Sequence, residues 1–469
     1  MDIKILEIVK AVEGKLLGEP NEALSVHKIS TDTRTLEKED VFFALRGTNF
    51  DGHDFIREAF EKGARHFVLS STEKVPAEVK KAANVVLVAD TLKAYGDLAK
   101  FYRQKFRIPA IAVTGSSGKT TVKEMLAHVL SQKFRVLKNR GTENNLVGVP
   151  KTIFQLDPSH EVIVIEMGTN QPGEIDRLSS IISPQIGIVT HIGHSHLEGL
   201  KDLDGVKAEK LRILNHIDRG GVLLLNGQDP MLRDVASGMH KVLRVGFLKE
   251  GNDLMAGQIW CHEAGTTFHV ERFIYEPEIE RTLVETPLIG RHNVLNCLLA
   301  ILAAGSLGMK FSEIREGLAS FKAVNGRLNF KKIADIQFID DSYNSNPSSF
   351  RAALDTLKEF KIREKKGVVC GDMLELGEKS EELHRQIGAA MADFLFDFVI
   401  AAGPMNAHLV DEALKKGFDP TRIHHVKDSQ EAGKLCRQIA SAGDFVLVKG
   451  SRGMHMEKVF ECFTTSSTR

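Results

Sequence analysis

From about residue 108 onward, short apolar runs alternate with segments whose apolar residues recur at helical spacing. The apolar runs predict buried strands, and the amphipathic segments predict helices such as TVKEMLAHVLSQ. The strands of this series are IPAIAVT, RVLK, EVIVIEMG, IGIVTHI, GGVLLLN and KVLRVGF. Alternating strands and helices predict a mostly parallel sheet with right-handed crossovers. Such sheets bind ligands beyond the carboxyl ends of their strands, so the loops after Val113, Ile165 and Thr190 are candidate sites.

A second alternation begins near residue 330, after GRLNFKK. Its predicted strands are IQFIDDS, GVVCGD, FVIAAG, IHHV and FVLVKG, and its helices include SFRAALDTLKEF and EELHRQIGAAMADF. The first part of the chain instead combines the short strands DVFFAL and HFVLS with the helix FIREAFEKGA. These patterns predict an α/β protein of three domains. They are a small N-terminal α/β domain at 1–107, a central domain with a mostly parallel sheet at 108–325 and a C-terminal Rossmann-like α/β domain at 326–469.

Composition narrows the class of protein. The 469 residues carry 62 Lys and Arg against 62 Asp and Glu, so no basic surface for nucleic acid is expected. Five cysteines lie far apart and never form a C-x-x-C pair, which argues against a disulfide framework or a structural zinc and fits a reducing cytosol. No apolar run approaches the roughly 20 residues of a membrane span. A soluble, unprocessed cytoplasmic protein without membrane insertion is therefore expected.

The segment AVTGSSGKTTVKEM has the character of a phosphate-binding loop. Gly115 and Gly118 let the backbone turn its N–H groups toward phosphate, and the helix that follows adds its N-terminal dipole. Lys119 can reach the β- and γ-phosphate oxygens, and Thr120 can bind Mg²⁺. The match to G-x-x-x-x-G-K-[ST] is partial, because Val113 stands at the first glycine. An ordinary glycine-serine turn before a helix is the competing interpretation.

Two further strand ends carry candidate metal ligands. Glu166 ends EVIVIEMG, where a second metal-binding acid would lie in a phosphate-loop enzyme, although a solvent-facing acid is the alternative. The next strand is followed by three histidines, His191, His194 and His196. They are either metal ligands or ordinary loop residues. A zinc site is one hypothesis, but zinc usually takes three or four N or S ligands, and Mg²⁺ is more natural beside a phosphate loop.

Polar residues in three predicted helical regions are further candidates. Lys210 lies on GVKAEKLRIL, where a lone lysine usually belongs to a solvated face. Asn293 and Asn296 lie on one edge of the helix start in GRHNVLNCLLAILAAG, where they either read a purine edge or cap a packed helix. In FIDDSYNSNPSSFRAAL a strand-to-helix turn carries more polar residues than one helix cap requires, which favours a ligand site. Its polar residues are Asp340, Asp341, Ser342, Tyr343, Asn344 and Asn346.

These segments, in this order, resemble the Mur ligase family of ATP-dependent amide-forming enzymes, and the resemblance covers essentially the whole chain. The similar segments are TGSSGKTT, GTENNLVGVP, EMGTNQPGEI, HLEGL, GRHNVLN, NGRL, DDSYNSNPSS and VLVKGSRGMHMEKV. They are most similar to the member that adds D-alanyl-D-alanine to UDP-N-acetylmuramoyl-tripeptide. DSYNSNP is the most specific segment. Relatives that add one amino acid, or glutamate to folate, resemble one another in having a histidine-bearing turn there, and this sequence has none. The family's substitution of the first glycine also accounts for Val113.

The resemblance implies ATP and Mg²⁺ as cofactors and assigns residues to them. The ATP-binding residues are Gly115, Ser116, Ser117, Gly118, Lys119, Thr120, Thr121, Asn293, Asn296, Arg327 and Asp341. The Mg²⁺ ligands are Thr120, Glu166, His196 and, if carbamylated, Lys210. Lys119, Glu166, His196 and Lys210 are the catalytic residues.

It also implies where the small-molecule substrates bind. The N-terminal domain, with TDTR at 31–34 and TNFDGH at 48–53, resembles the part that holds the UDP end of the precursor. The substrate-binding residues are Thr33, Arg34, Asn49, Asp51, Gly52, His53, Asn144, Asn145, Tyr343, Asn344 and Asn346. The sequence leaves the third residue of the tripeptide open between lysine and diaminopimelate, and a monomer is expected.

The implied chemistry activates a carboxylate. Transfer of the γ-phosphoryl group of ATP to the tripeptide would give an acyl phosphate, which the amine of D-alanyl-D-alanine would attack. The product would be the pentapeptide precursor of peptidoglycan. Competing hypotheses are an NTPase that drives a partner's conformational change, a non-enzymatic nucleotide-binding module and the family member that adds a diamino acid to the dipeptide precursor.

Overall fold

The structure is a computed structural model that describes residues 3–21, 24, 26–47, 49–248, 250–271, 273–360, 364–394 and 396–464. It contains three sheets, and each is built from one of the three predicted segments of the chain. The α/β class and the three-part architecture predicted from the sequence are confirmed. The boundaries at 107 and 325 stay a prediction.

The first sheet has the strand order β1-β5-β4-β3-β2, parallel except where β1 pairs with β5. Its strands are β1 (Lys15–Leu17), β2 (Ile29–Ser30), β3 (Val41–Phe43), β4 (His66–Leu69) and β5 (Asn84–Leu87). The helices of this part are α1 (Ile5–Ala11), α2 (Ile56–Glu61), α3 (Ala77–Ala82) and α4 (Thr91–Gln104). The loops after β2 and β3 therefore lie side by side at one edge.

The central sheet has the order β14-β13-β12-β11-β10-β9-β6-β8-β7. The strands from β7 across to β12 are parallel, which confirms the predicted parallel sheet. They are β6 (Ala110–Thr114), β7 (Val136–Lys138), β8 (Val162–Glu166), β9 (Ile186–Val189), β10 (Val222–Asn226), β11 (Lys241–Gly246), β12 (Leu254–His262), β13 (Gly265–Glu271) and β14 (Arg281–Thr286). Since β6 lies between β8 and β9, the loops after these three strands meet, as the sequence predicts.

Helices cover both faces of the central sheet. They are α5 (Lys119–Leu130), α6 (Gly148–Ile153), α7 (Glu174–Ile182), α8 (Leu197–Leu200), α9 (Leu203–Leu211), α10 (Arg291–Ser306) and α11 (Phe311–Ser320). The first of these, α5, packs against α10, whose residues 297–304 are all buried. Burial of both helices in one apolar core fixes the start of α5, and with it the phosphate loop.

The last sheet has the order β15-β16-β20-β17-β18-β19, parallel except for the β15–β16 pair. Its strands are β15 (Asn329–Ile333), β16 (Ile336–Asp341), β17 (Lys366–Gly371), β18 (Phe398–Ala402), β19 (Ile423–Val426) and β20 (Phe445–Lys449). The helices are α12 (Pro347–Glu359), α13 (Ser380–Ala392), α14 (Asn406–Lys415), α15 (Ser429–Ile439) and α16 (Lys458–Thr464). Across the described ranges, no helix is both long and apolar enough to cross a membrane.

Candidate active site

The loop between β6 and α5 requires glycine at two positions. Gly115 has φ +145°, and a Cβ there would lie 2.0 Å from the Oγ1 of Thr190. Gly118 has φ +82°, and its Cβ would lie 2.8 Å from the Oδ1 of Asn296. Both φ values lie in the region that side chains other than glycine rarely adopt. The glycines therefore let this loop pack closely on the loop after β9 and on α10.

Hydrogen bonds hold this phosphate loop in one shape. The backbone N–H of Ser116 donates to the carbonyl of His191 at 2.7 Å, and its hydroxyl donates to the carbonyl of Gly193 at 2.9 Å. Lys119 Nζ donates to the carbonyl of Gly115 at 2.8 Å. Burial lowers the pKa of Lys119, and the nearby Glu166 carboxylate opposes that shift. These hydrogen bonds fix the shape of the loop against the loop after β9.

Glu166 lies at the end of β8 with 1% of its surface exposed. Asn144 Nδ2 donates to its Oε1 at 2.7 Å, so this predicted substrate residue contacts the carboxylate directly. Among the described residues, no hydrogen-bond donor reaches its other oxygen, Oε2. The ammonium of Lys123 is 3.8 Å from that oxygen. A buried carboxylate oxygen without a donor suits a hard cation such as Mg²⁺.

The three loop histidines have different surroundings. His191 Nδ1 is 2.7 Å from Asp229 Oδ2, and His196 Nδ1 is 2.9 Å from Glu375 Oε2. The hydrogen bond from His196 lowers the pKa of Glu375. Burial lowers the pKa of His194. Within the part of the chain that the structure describes, no three His, Cys, Asp or Glu side chains form a metal-binding group.

Lys210 lies near the end of α9 and is 1% exposed. Burial lowers its pKa well below the ordinary lysine value, and the charge of Lys119 acts in the same direction. The neighbouring Glu209 instead accepts the backbone N–H groups of Gly173 and Ile175, at 2.7 and 2.8 Å. Lys210 is therefore a buried amine, whereas a lone lysine on a helix such as GVKAEKLRIL usually lies on a solvent-exposed face.

The two asparagines of α10 bond to each other. Asn296 Nδ2 donates to Asn293 Oδ1 at 2.9 Å, and Asn293 Nδ2 donates to the carbonyl of Ile289 at 2.8 Å. Both side chains are buried at the start of a packed helix, where the sequence places them. Beside them, burial lowers the pKa of His292 to about 4, and the charge of Lys449 contributes.

The polar turn after β16 faces the phosphate loop. Asp341 forms an ion pair with Lys449 at 2.5 Å, and the two are paired across neighbouring parallel strands. Tyr343 OH donates to Thr142 Oγ1 at 3.0 Å, and the guanidinium of Arg327 lies 4.3 Å from the centre of the Tyr343 ring. Arg327 Nη2 also donates to Thr120 Oγ1 at 2.9 Å.

Asn346 joins the same turn to the phosphate loop. Its Oδ1 accepts the backbone N–H of Ser349 at 2.8 Å, so it is the N-cap of α12, with Pro347 as the first helical residue. Its Nδ2 donates to the carbonyl of Ser116 at 3.4 Å. Asn145 lies just before α6, where its Oδ1 accepts the backbone N–H groups of Val147 at 3.1 Å and Gly148 at 2.9 Å.

A cavity of about 440 Å³ lies where these segments meet. It brings together most of the predicted ATP, metal and acceptor residues, namely Ser116, Ser117, Gly118, Lys119, Thr120, Thr121, Asn144, Asn145, Glu166, His196, Asn293, Arg327, Asp341, Tyr343, Asn344 and Asn346. Among the described residues, the lining does not include Gly115, Asn296 or Lys210. Whether the lining residues bind ligands as expected stays a prediction.

The predicted UDP-end residues lie apart from this cavity, in the first sheet's loops. Thr33 and Arg34 follow β2, and Arg34 forms an ion pair with Asp32. Asp51 accepts the backbone N–H of His53 at 3.0 Å and lies 2.6 Å from His53 Nδ1. Asn49 is exposed and Gly52 is buried. Thr48 of the TNFDGH segment lies outside the described residues.

Four residues that sequence analysis did not select also belong to this region. Lys449, His292 and Glu375 line the cavity, and Lys123 lies beside Glu166. Two signals were present: Lys123 comes four residues after Lys119 on the same helix face, and Lys449 ends an apolar strand as Asp341 does. His292 and Glu375 carry no signal that separates them from other helix-start or loop residues.

Three family models match consecutive parts of the chain. "Mur ligase family, catalytic domain" matches residues 25–103, "Mur ligase middle domain" matches 113–304 and "Mur ligase, glutamate ligase domain" matches 326–452. Together they cover every strand of the three sheets except β1 and the first residues of β6.

Individual proteins are similar over the full length. The chain is 35% identical to a UDP-N-acetylmuramoyl-tripeptide–D-alanyl-D-alanine ligase of Bacillus subtilis over 97% of both sequences. It is 34% identical to the ligase of the same name from Escherichia coli over 100% of both. A crystal structure of MurF from Acinetobacter baumannii superposes with a TM-score of 0.87 at 31% identity, covering 98% of both chains. MurF of Thermotoga maritima in complex with ADP superposes at 0.83 and 28% identity, covering 93% of this chain and 97% of that one.

Proposed function

This chain belongs to the Mur ligase family, and within that family we propose that it joins D-alanyl-D-alanine to UDP-N-acetylmuramoyl-tripeptide with consumption of ATP. The full-length relatives carry this activity in their names, and one solved relative binds ADP. The structural observation that carries the proposal is a single cavity lined by the phosphate loop, Glu166 and the turn at 341–346.

The reaction activates the terminal carboxylate of the tripeptide. A carboxylate oxygen attacks the γ-phosphorus of ATP, ADP leaves, and an acyl phosphate forms. The amine of D-alanyl-D-alanine then attacks the acyl carbon, loses a proton, and displaces inorganic phosphate to give the peptide bond. Positioning and electrostatic stabilisation carry most of the catalysis in such phosphoryl transfers.

The phosphate loop supplies the positive electrostatic environment for the first step. Its backbone N–H groups and the N-terminal end of α5 would hold the phosphates. Lys119 now donates to the carbonyl of Gly115, and in the complex its ammonium would turn to the β- and γ-phosphate oxygens. Asn293, Arg327 and Asp341 would contact the rest of the nucleotide from α10 and the last sheet.

The oxygen atoms at the end of β8 and the start of α5 fit Mg²⁺. Glu166 Oε2 is buried without a hydrogen-bond donor in the described structure, and the Thr120 hydroxyl lies in the same cavity. These two side chains would hold the ion, with His196 as a further ligand. Bound there, Mg²⁺ would neutralise charge on the phosphates.

Lys210 is proposed to act as a carbamate. Only a neutral amine adds to carbon dioxide, and burial of Lys210 favours the neutral amine by lowering its pKa. The carbamate would add a carboxylate for a second metal ion. Mass spectrometry of the intact protein at neutral pH, with and without dissolved carbon dioxide, tests this modification.

The loops after β2 and β3 are proposed to hold the UDP end of the precursor. They lie at the carboxyl edge of neighbouring parallel strands, where ligands of such sheets bind. Thr33, Arg34, Asn49, Asp51 and His53 supply the polar groups there. The precursor would extend from this edge to the cavity, where Asn144, Tyr343 and Asn344 would meet its peptide end and the incoming dipeptide.

Phosphate release tests the proposed reaction. The protein is supplied with ATP and Mg²⁺, together with UDP-N-acetylmuramoyl-tripeptide and D-alanyl-D-alanine, with D-alanine in place of the dipeptide, or with neither substrate. Both tripeptides, with lysine or diaminopimelate as the third residue, are compared. Release that requires precursor and dipeptide, with a pentapeptide product by mass, is expected. Release that is indifferent to both would instead indicate an NTPase.

A further inference from the structure

Lys123 is a lysine with no exposed surface, one turn of α5 after Lys119. Its Nζ donates to the carbonyls of Asn139 at 3.0 Å and Gly141 at 2.8 Å. These two carbonyls belong to the loop that follows β7. A buried ammonium is costly unless it is paired, so its presence here calls for a specific role.

Two carboxylates face this ammonium. Glu124 Oε1 is 2.8 Å away and Glu166 Oε2 is 3.8 Å away. Glu124 is partly exposed and forms a second ion pair, with Lys138. Glu166 is 1% exposed, and no donor in the described structure reaches its Oε2. Lys123 is the cation that the described structure places within 4 Å of Glu166, whereas Glu124 has Lys138 as a second partner.

The 139–144 loop, to which Lys123 donates, also forms hydrogen bonds with Glu166. Asn139 accepts the backbone N–H of Glu166 at 2.9 Å and donates to its carbonyl at 3.0 Å. Asn144 donates to the Glu166 carboxylate at 2.7 Å and accepts the N–H of Gly168 at 2.8 Å. Both ends of this loop thus bond to the end of β8. Lys123 therefore both fixes the 139–144 loop and places a positive charge near the Glu166 carboxylate.

We propose that Lys123 is a positioning residue for Glu166: it anchors the 139–144 loop and supplies the counter-charge that keeps the carboxylate oriented toward the phosphate loop. This role rests on the proposed function, in which Glu166 serves the metal–nucleotide complex. Lys123 is not among the residues that line the cavity. Such supporting partners of a metal ligand typically change metal affinity or activity by about 10- to 100-fold when they are removed.

A rescue experiment in the protein without ligands separates this role from simple packing. Lys123→Met removes the charge with little change in volume. It is compared with the same change combined with Glu166→Gln and, separately, with Glu124→Gln. Lys133→Met is the matched control, because Lys133 also donates to a backbone carbonyl, of Gly308, but at an exposed site after α5. Thermal unfolding and hydrogen exchange of residues 139–145 are measured.

The expected result is a lower unfolding temperature and faster exchange in Lys123→Met. Glu166→Gln should restore most of the unfolding temperature, and Glu124→Gln less, because only the first removes the buried carboxylate left without its counter-charge. Exchange of residues 139–145 should stay fast in both double variants, since methionine cannot donate to the carbonyls of Asn139 and Gly141. If Lys123→Met does not fold, recovery of a folded protein when Glu166→Gln is added would support the proposal even more strongly. Rescue by Glu124→Gln alone, no rescue by either, or unchanged exchange in the single variant would overturn the proposal. Lys133→Met is expected to leave the exchange unchanged.

The catalytic consequence is measured separately. In the ligation reaction, Lys123→Met is expected to raise the Mg²⁺ concentration for half-maximal rate by about 10- to 100-fold. An unchanged Mg²⁺ dependence in a folded variant would contradict the positioning role. If the wild-type protein showed no ligation, the proposed function would fail, yet the unfolding and exchange data would still decide whether Lys123 supports Glu166.

Discussion

Lys119 is the side chain on which turnover should depend most directly. In the described part of the structure its side chain donates one hydrogen bond, to the carbonyl of Gly115, so Lys119→Ala removes a charge from the cavity without breaking the core. We expect the ligation rate to fall by about a hundredfold or more, equivalent to about 3 kcal/mol, because the charge that develops on the transferring phosphoryl group loses its partner. Lys133→Ala, an exposed lysine away from the cavity, is the control. A folded Lys119→Ala protein that retained normal turnover would remove the loop from the mechanism.

His292 should make the protein sensitive to acid. Burial lowers its pKa from 6.5 to about 4 in the folded state, so between these values the unfolded chain binds the proton more readily. Its contribution to stability is therefore present above pH 6.5 and is lost as the pH falls toward 4. We expect His292→Gln to lose less stability than the wild type over this interval, measured by thermal unfolding at pH 7, 6, 5 and 4.5. If the unfolding temperatures of the two proteins fell equally with pH, the acid sensitivity would not come from His292.

Single residues also show what a sequence can predict. The phosphate loop and Glu166 were predictable because glycine, lysine and an acid at strand ends have few other uses in that pattern. Lys123 and Lys449 were not selected, because a buried lysine and a solvated one have the same sequence signature. Burial, which the fold decides, is what distinguishes them.

At the level of elements, the N-cap of α12, Asn346, connects helix stability to the cavity. Asn346→Ala should cost about 1 kcal/mol of stability through loss of the N-cap. Asp428→Ala is a matched control, since Asp428 caps α15 in the same way and lies outside the cavity lining. Both variants should lose similar stability, but only Asn346→Ala should raise the KM for ATP, because Asn346 also donates to Ser116 of the phosphate loop. Equal KM values for ATP in the two variants would show that Asn346 acts only as the N-cap of α12.

Most strands of the parallel sheets were predictable from their apolar runs, although β2 and β5 were not selected, and β12–β14 were not predicted. These three strands form an antiparallel extension of the central sheet in which buried and more exposed residues alternate. One face of an antiparallel sheet can remain in water, so its strands lack the continuous apolar runs that identify the parallel ones. The polar turn at 340–346 was predicted because it carries more polar residues than a cap requires.

At the scale of the whole molecule, the cavity depends on contacts between residues far apart in sequence. Arg327 and Thr120, which share a hydrogen bond, are 207 positions apart, and Tyr343 and Thr142 are 201 apart. Composition and periodicity carry no information about such pairs. The resemblance to a family assigned residues to a common site, but the contacts that assemble the site became visible only with the fold.

The same contacts predict a domain movement. Around the phosphate loop, the last sheet is joined to the central one by hydrogen bonds from Arg327, Tyr343 and Asn346, each of which water can replace. Buried apolar residues of both parts also belong to one cluster, so the hydrogen bonds are only part of the contact. We expect a limited relative motion that opens the polar side of this contact, and ligands that contact both parts should favour the compact arrangement, in which the acyl phosphate is shielded from water. Small-angle scattering should give a smaller radius of gyration with a non-hydrolysable ATP analogue and precursor than without ligands. Tyr343→Phe, which loses one of these hydrogen bonds, should need more nucleotide for the same change, and profiles that ligands leave unaltered would argue that the cavity is permanently closed or permanently open.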